Sequence, residues 1–175
     1  MIRSILLLAV CCLISGFANA EEEITPDRMF GGWSAFIDGD DCWVASHPKM
    51  PSKVLMEDVL FFVTFHNRFP VPSISIWPTR SVNELAGVQV MTGRQDFTFQ
   101  FSDGIAFPEL EDEIPILRAL LASNELVIKM EDVAGDELLA YIVYNGFNAA
   151  YNYTSKECDF NFLDGLTTEE GTEPT

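Results

Sequence analysis

Cys42, His47 and His66 are the residues whose types suggest nucleophilic chemistry. A thiol beside an imidazole could form a thiolate and its base. Cys42 has a simpler fate, because Cys158 offers it a disulfide partner, and a bonded sulfur cannot attack a substrate. A serine hydrolase needs Ser, His and an acid converging in space. No strand–G-x-S-x-G–helix context is present to supply that nucleophile. Asp38-Gly39-Asp40-Asp41 is the best metal candidate, since calcium takes six to eight oxygens from such carboxylates. The EF-hand spacing and its bidentate Glu are missing, so a solvated hairpin turn is the stronger reading. Glu109, Glu111, Asp112 and Glu113 form a second acidic cluster, which fits the positive end of a helix. Two histidines and a paired cysteine cannot close a tetrahedral zinc site. Trp33, Trp43 and Trp77 could line a ligand-binding face, although aromatic residues in strands are more often core. Asn152-Tyr153-Thr154 matches the glycosylation pattern but falls inside an expected helix.

The N-terminus bears on these readings. Arg3 precedes an apolar run over residues 5–14, and Ala18-Asn19-Ala20 supplies an A-x-A cleavage site before Glu21. This is the pattern of a secretory signal peptide over residues 1–20, too short for a membrane span. Lipid attachment at Cys11 or Cys12 would need a small residue just before the cysteine, and Val10 is bulky. Cleavage between Ala20 and Glu21 leaves Cys42 and Cys158, which allow one connectivity. Export to an oxidising compartment favours that disulfide. No later apolar run reaches the length of a membrane helix; residues 55–65 come nearest, and Glu57 and Asp58 interrupt them.

The whole chain has 175 residues, enough for one domain, and its 48% hydrophobic content supports a packed core rather than disorder. It carries 27 acidic and 10 basic residues, net −17. Signal removal takes one Arg and no acid, leaving net −18. Such a field repels nucleic acid and anionic membrane surfaces.

Residues 21–29 read as an acidic leader. The sequence then alternates in short runs suited to strands. Trp33-Ser34-Ala35-Phe36-Ile37 and Cys42-Trp43-Val44-Ala45-Ser46 flank the Asp-Gly turn. Residues 59–65 are so rich in β-branched and aromatic side chains that they predict a central strand buried on both faces. Ser73-Ile74-Ser75-Ile76-Trp77, the Val88/Val90 pair, Phe97-Thr98-Phe99-Gln100-Phe101 and Ile105-Ala106-Phe107 follow. Pro115 with Leu117, Leu120 and Leu121 marks a helix closed by Ser123-Asn124. Residues 126–130 and 138–144 suggest a hairpin. Phe147, Ala150, Tyr151, Thr154 and Cys158 then fall on one helical face. Residues 164–175 form a polar tail. Eight or nine closely spaced strands with two late helices predict a mainly β fold, a β-sandwich, over residues 30–163.

Several segments together resemble the invasion-associated locus B family. They are Gly32-Trp33-Ser34-Ala35-Phe36, then Cys42-Trp43-Val44-Ala45-Ser46 with Pro48-Lys49, and Leu60-Phe61-Phe62-Val63-Thr64-Phe65 followed by Pro70. Phe97-Thr98-Phe99 with Ser102-Asp103-Gly104 is similar to the family's middle hairpin. Gly146-Phe147-Asn148-Ala149-Ala150 leading to Cys158 is similar to its closing helix and cysteine. The resemblance spans roughly residues 30–160. It implies an exported protein of Gram-negative alphaproteobacteria with an immunoglobulin-like β-sandwich. It also implies an envelope role, linked in some members to host-cell invasion. It carries over no catalytic residues. The chain differs in its acidity, in Pro70-Val71-Pro72 and in its tail beyond Cys158.

The expectation is therefore a non-enzymatic envelope or interaction protein, periplasmic or secreted, without a cofactor. Its partner would be another envelope or host protein. The alternative is a periplasmic small-molecule or cation-binding module built on Asp38, Asp40 and Asp41.

Overall fold

A computed structural model describes residues 25–46, 59–66, 69–123, 125–143 and 145–160. The expected signal segment with its Ala20–Glu21 junction, His47, and the expected tail over residues 164–175 lie outside the described residues. Ten strands hold about half of the described residues. In the first half they are β1 (Arg28–Phe30), β2 (Trp33–Asp38), β3 (Asp41–Ser46), β4 (Val59–His66) and β5 (Ser73–Pro78). The second half contains β6 (Val88–Thr92), β7 (Gln95–Ser102), β8 (Ile105–Pro108), β9 (Glu125–Glu131) and β10 (Glu137–Val143). Helix α1 (Glu113–Ala122) precedes β9, and α2 (Phe147–Glu157) follows β10. The mainly β class with two late helices is the one the strand spacing predicts.

All ten strands form one antiparallel ladder in the order β1-β2-β3-β4-β5-β8-β7-β6-β9-β10. The halves join through one register pair, Ile76 opposite Ala106. β2 and β10 lie eight places apart in this order. At about 4.8 Å per step, a flat sheet would separate them by roughly 38 Å. Yet the Gly32 N–H donates to the Asn145 carbonyl, just past β10, at 3.1 Å. The sheet therefore curls around its core.

Strand alternation builds that core. Val59, Phe61, Val63 and Phe65 of β4 are buried, as are Trp33 and Ala35 of β2, Cys42 and Val44 of β3, and Ile74 and Ile76 of β5. Each large apolar side chain so buried contributes about 1.5–3 kcal/mol. Val88, Val90, Phe99, Leu126, Ile128 and Ala140 bring the second half into the same cluster. One expectation is corrected here. β4 is central, between β3 and β5, but Leu60, Phe62, Thr64 and His66 on its other face are only half-buried. The apolar run reflects one face in the core and one aromatic outer face, not burial on both sides.

A second difference is β1, which begins inside the stretch read as leader. It is three residues long and shows no period of its own. Helix α2 holds it in place. The Tyr153 hydroxyl donates to Asp27, and the Arg28 guanidinium lies over the Phe30 and Tyr153 rings, 5.4 and 5.3 Å from their centroids.

The expected face of α2 is the buried one: Phe147, Ala150, Tyr151 and Thr154 point inward. Phe147 lies 4.7 Å from Trp33, and Tyr151 lies 5.1 Å from Phe65, between ring centroids. At the helix end Cys158 is bonded to Cys42, with Cα atoms 6.5 Å apart. At the other end Gly146 has φ +103, and a Cβ there would stand 1.9 Å from the Phe30 carbonyl oxygen. Only glycine fits a left-handed residue pressed against another backbone.

In α1, Ile116, Leu117 and Leu120 face the core. Asp112 and Glu113 occupy its N-terminal end, where the dipole favours acids, and a 3-10 turn over Leu110–Asp112 leads in. Burial nonetheless raises the Glu113 pKa, against a lowering hydrogen bond from the Ile74 backbone.

Three outcomes are expected. Reducing the Cys42–Cys158 bond, which spans 116 positions, lowers stability by about 2–5 kcal/mol in denaturant titrations. Gly146→Ala costs about 2–4 kcal/mol in the same assay, from backbone strain and the close contact together. Glu113→Gln raises the melting temperature at pH 7. The folded state favours the protonated carboxyl, so wild-type stability falls as pH rises through the raised pKa. The gain from Gln should vanish below the ordinary Glu range, which thermal scans from pH 3 to 8 would read.

Candidate functional site

Period-two geometry sends alternate residues of β2–β5 outward once their neighbours are committed to the core. On this outer face Phe36 is opposite Trp43, and Trp43 is opposite Thr64. Phe62 is opposite Ser75, and Leu60 is opposite Trp77. The result is an apolar hollow of about 370 Å³ lined by Phe36, Trp43, Phe62, Thr64, Ser75 and Trp77. The rings form two pairs. Phe36 and Trp43 stack at 5.2 Å with planes 8° apart, and Phe62 meets Trp77 at 5.1 Å with a 51° tilt. The Trp77 indole N–H donates to the Ser75 hydroxyl at 3.1 Å, which fixes the ring. Trp77 remains 44% exposed.

The three tryptophans thus divide. Trp33 is core, packed edge-on to Phe61 at 6.2 Å. Trp43 and Trp77 are not core; they belong to the outer face. Phe36 and Phe62, which the sequence reading did not single out, complete it. The signal was available: Ile74 and Ile76 face inward together, so Trp77 must face the other way.

One row along the same face lies an acidic rim. Asp38 and Asp41 are cross-strand partners at the end of the β2–β3 hairpin. Asp41 is two residues from Trp43 and Asp38 two residues from Phe36, so each shares its neighbour's face. The His66 imidazole Nδ1 is 3.3 Å from an Asp41 carboxylate oxygen. Asp40 sits in the connecting turn. Among the described residues, no three His, Cys, Asp or Glu side chains gather in a way that could hold a metal.

His66 has a carboxylate neighbour, but Cys42 is committed to its disulfide. The thiol–imidazole pair considered from the sequence therefore does not assemble at these two residues. The Asn152-Tyr153-Thr154 pattern lies within α2, with Thr154 fully buried. No helix among the described residues is long and apolar enough to cross a membrane.

The arrangement can bind. Two preordered aromatic pairs offer apolar area at low entropic cost, and the adjacent carboxylates attract positive charge. No protein-family model matches the chain, and no curated protein matches it. Among solved structures, the crystal structure of invasion associated protein B from Bartonella henselae is similar, with a TM-score of 0.59. It is 17% identical, and the match covers 75% of this chain and 97% of that one. The chain therefore shares a fold with invasion associated protein B.

Proposed function

We propose that this chain is an exported, non-enzymatic binding module of the bacterial envelope whose recognition face is the aromatic hollow on β2–β5. The observation that carries the proposal is the pairing of Phe36 with Trp43 and Phe62 with Trp77 on an outer sheet face. Large aromatic residues at such positions are the usual anchors of protein interfaces. The Asp38–Asp41 rim selects the partner's charge. The fitting partner is a protein presenting an apolar side chain to the hollow and a Lys or Arg to the rim. The N-terminal apolar segment and the fold shared with invasion associated protein B support a place outside the cytoplasm. A role in host contact belongs to the same proposal.

Site-specific photocrosslinking in cells tests it, with the crosslinker placed at Trp77, at Phe62, or at Gln100 on β7 as a control. The first two positions should capture the same partner, and Gln100 should not. Trp77→Ala should then weaken binding of that purified partner by about tenfold or more, with the melting temperature nearly unchanged. Equal capture from Gln100, or unaltered affinity in Trp77→Ala, would contradict the recognition face. Capture of a small ligand in place of a protein would favour the small-molecule module.

A further inference from the structure

We propose that a second site, between the β6–β7 turn and the C-terminal half of α1, binds an oxyanion, the carboxylate or phosphate group of a small ligand. The hollow there measures about 500 Å³, and Thr92, Arg94, Arg118 and Ser123 line it. That is within the size range of small-molecule sites. It shares no residue with the aromatic hollow and does not depend on the reading above.

Local structure places the two arginines on one hollow. Gly93 and Arg94 make the two-residue turn between β6 and β7, with Gly93 at φ +63. A glycine at the first central position is what the type II′ hairpin requires. It sets Arg94 at the tip. Arg118, Ala119 and Ala122 form the stripe of α1 that faces the turn. Ser123 follows the helix, and its hydroxyl would lie 3.7 Å from a Cβ at Gly93, so turn and helix end are in contact.

Charge points to a ligand. The chain has 10 basic residues against 27 acidic ones, yet two of them line one hollow. Among the described residues neither forms a salt bridge, whereas Lys129 pairs with Glu137. Thr92 forms the floor of the hollow, 2% exposed and with its hydroxyl sealed from solvent, so it shapes the site without touching the anion.

The opposing terms are smaller. The C-terminal end of α1 carries about half a negative charge, against two full guanidinium charges. The acidic surface beyond roughly 8–10 Å is screened at physiological salt. Guanidinium groups also match carboxylate and phosphate geometry through paired N–H donors.

The test is an NMR titration of the full chain at constant physiological ionic strength, with inorganic phosphate in one arm and succinate in the other. Saturable amide shifts at Thr92, Gly93, Arg94 and Ser123 are expected in at least one arm. The anion that binds tighter identifies the ligand group as phosphoryl or carboxylate. Arg94→Gln and Arg118→Gln should each weaken binding by about tenfold or more. Folding of both variants is verified from the amide spectrum. Shifts that fail to saturate in both arms, or affinity unchanged in both arginine variants, would overturn the proposal.

Discussion

One-sided burial of β4 is the constraint on which the rest depends. Val59, Phe61, Val63 and Phe65 cannot leave the core without exposing four apolar side chains, so the strand has one permitted face. A slip of one residue would expose side chains that contribute about 1.5–3 kcal/mol each, together comparable to a domain's usual stability margin of about 5–15 kcal/mol. Because β3 and β5 pair with β4 over six positions each, the same choice passes to both neighbours. The outer face then holds Trp43, Phe62, Thr64, Ser75 and Trp77 whether or not they bind anything. The aromatic face is thus a by-product of the register that makes the core.

Helix α2 locks this arrangement from the far side. Its Phe147 and Tyr151 pack on Trp33 and Phe65, and Cys158 fastens its end to Cys42. Cys42 points inward and Trp43, the next residue, points outward. The disulfide therefore anchors the strand segment that carries one of the exposed aromatic rings. At the other end of the helix, Gly146 allows the chain to turn against Phe30 and close the curled sheet.

Much of this was legible in the sequence. Period-two runs located β2–β10, and the spacing of Phe147, Ala150, Tyr151 and Thr154 gave the buried face of α2. The cysteine pair followed from the expected loss of residues 1–20 with Cys11 and Cys12. Three things were not legible, each for a physical reason. Strand β1 is held by partners far along the chain, Tyr153 above all, so its three residues carry no local pattern. The strand over residues 59–65 reads as apolar on both faces, because an aromatic outer face and a second core face have the same composition. That Arg94 and Arg118 line one hollow depends on a hairpin turn touching a helix end, which no short-range spacing encodes.

One face of β2–β5 is sealed against the core, and the other is an accessible aromatic surface. Fluorine NMR of the full chain labelled with 5-fluorotryptophan tests it most directly, with Trp43→Phe and Trp77→Phe assigning the signals and a neutral paramagnetic agent added. The strongest broadening is expected for Trp77, less for Trp43 and none for Trp33. A Trp77 signal as protected as that of Trp33 would contradict it.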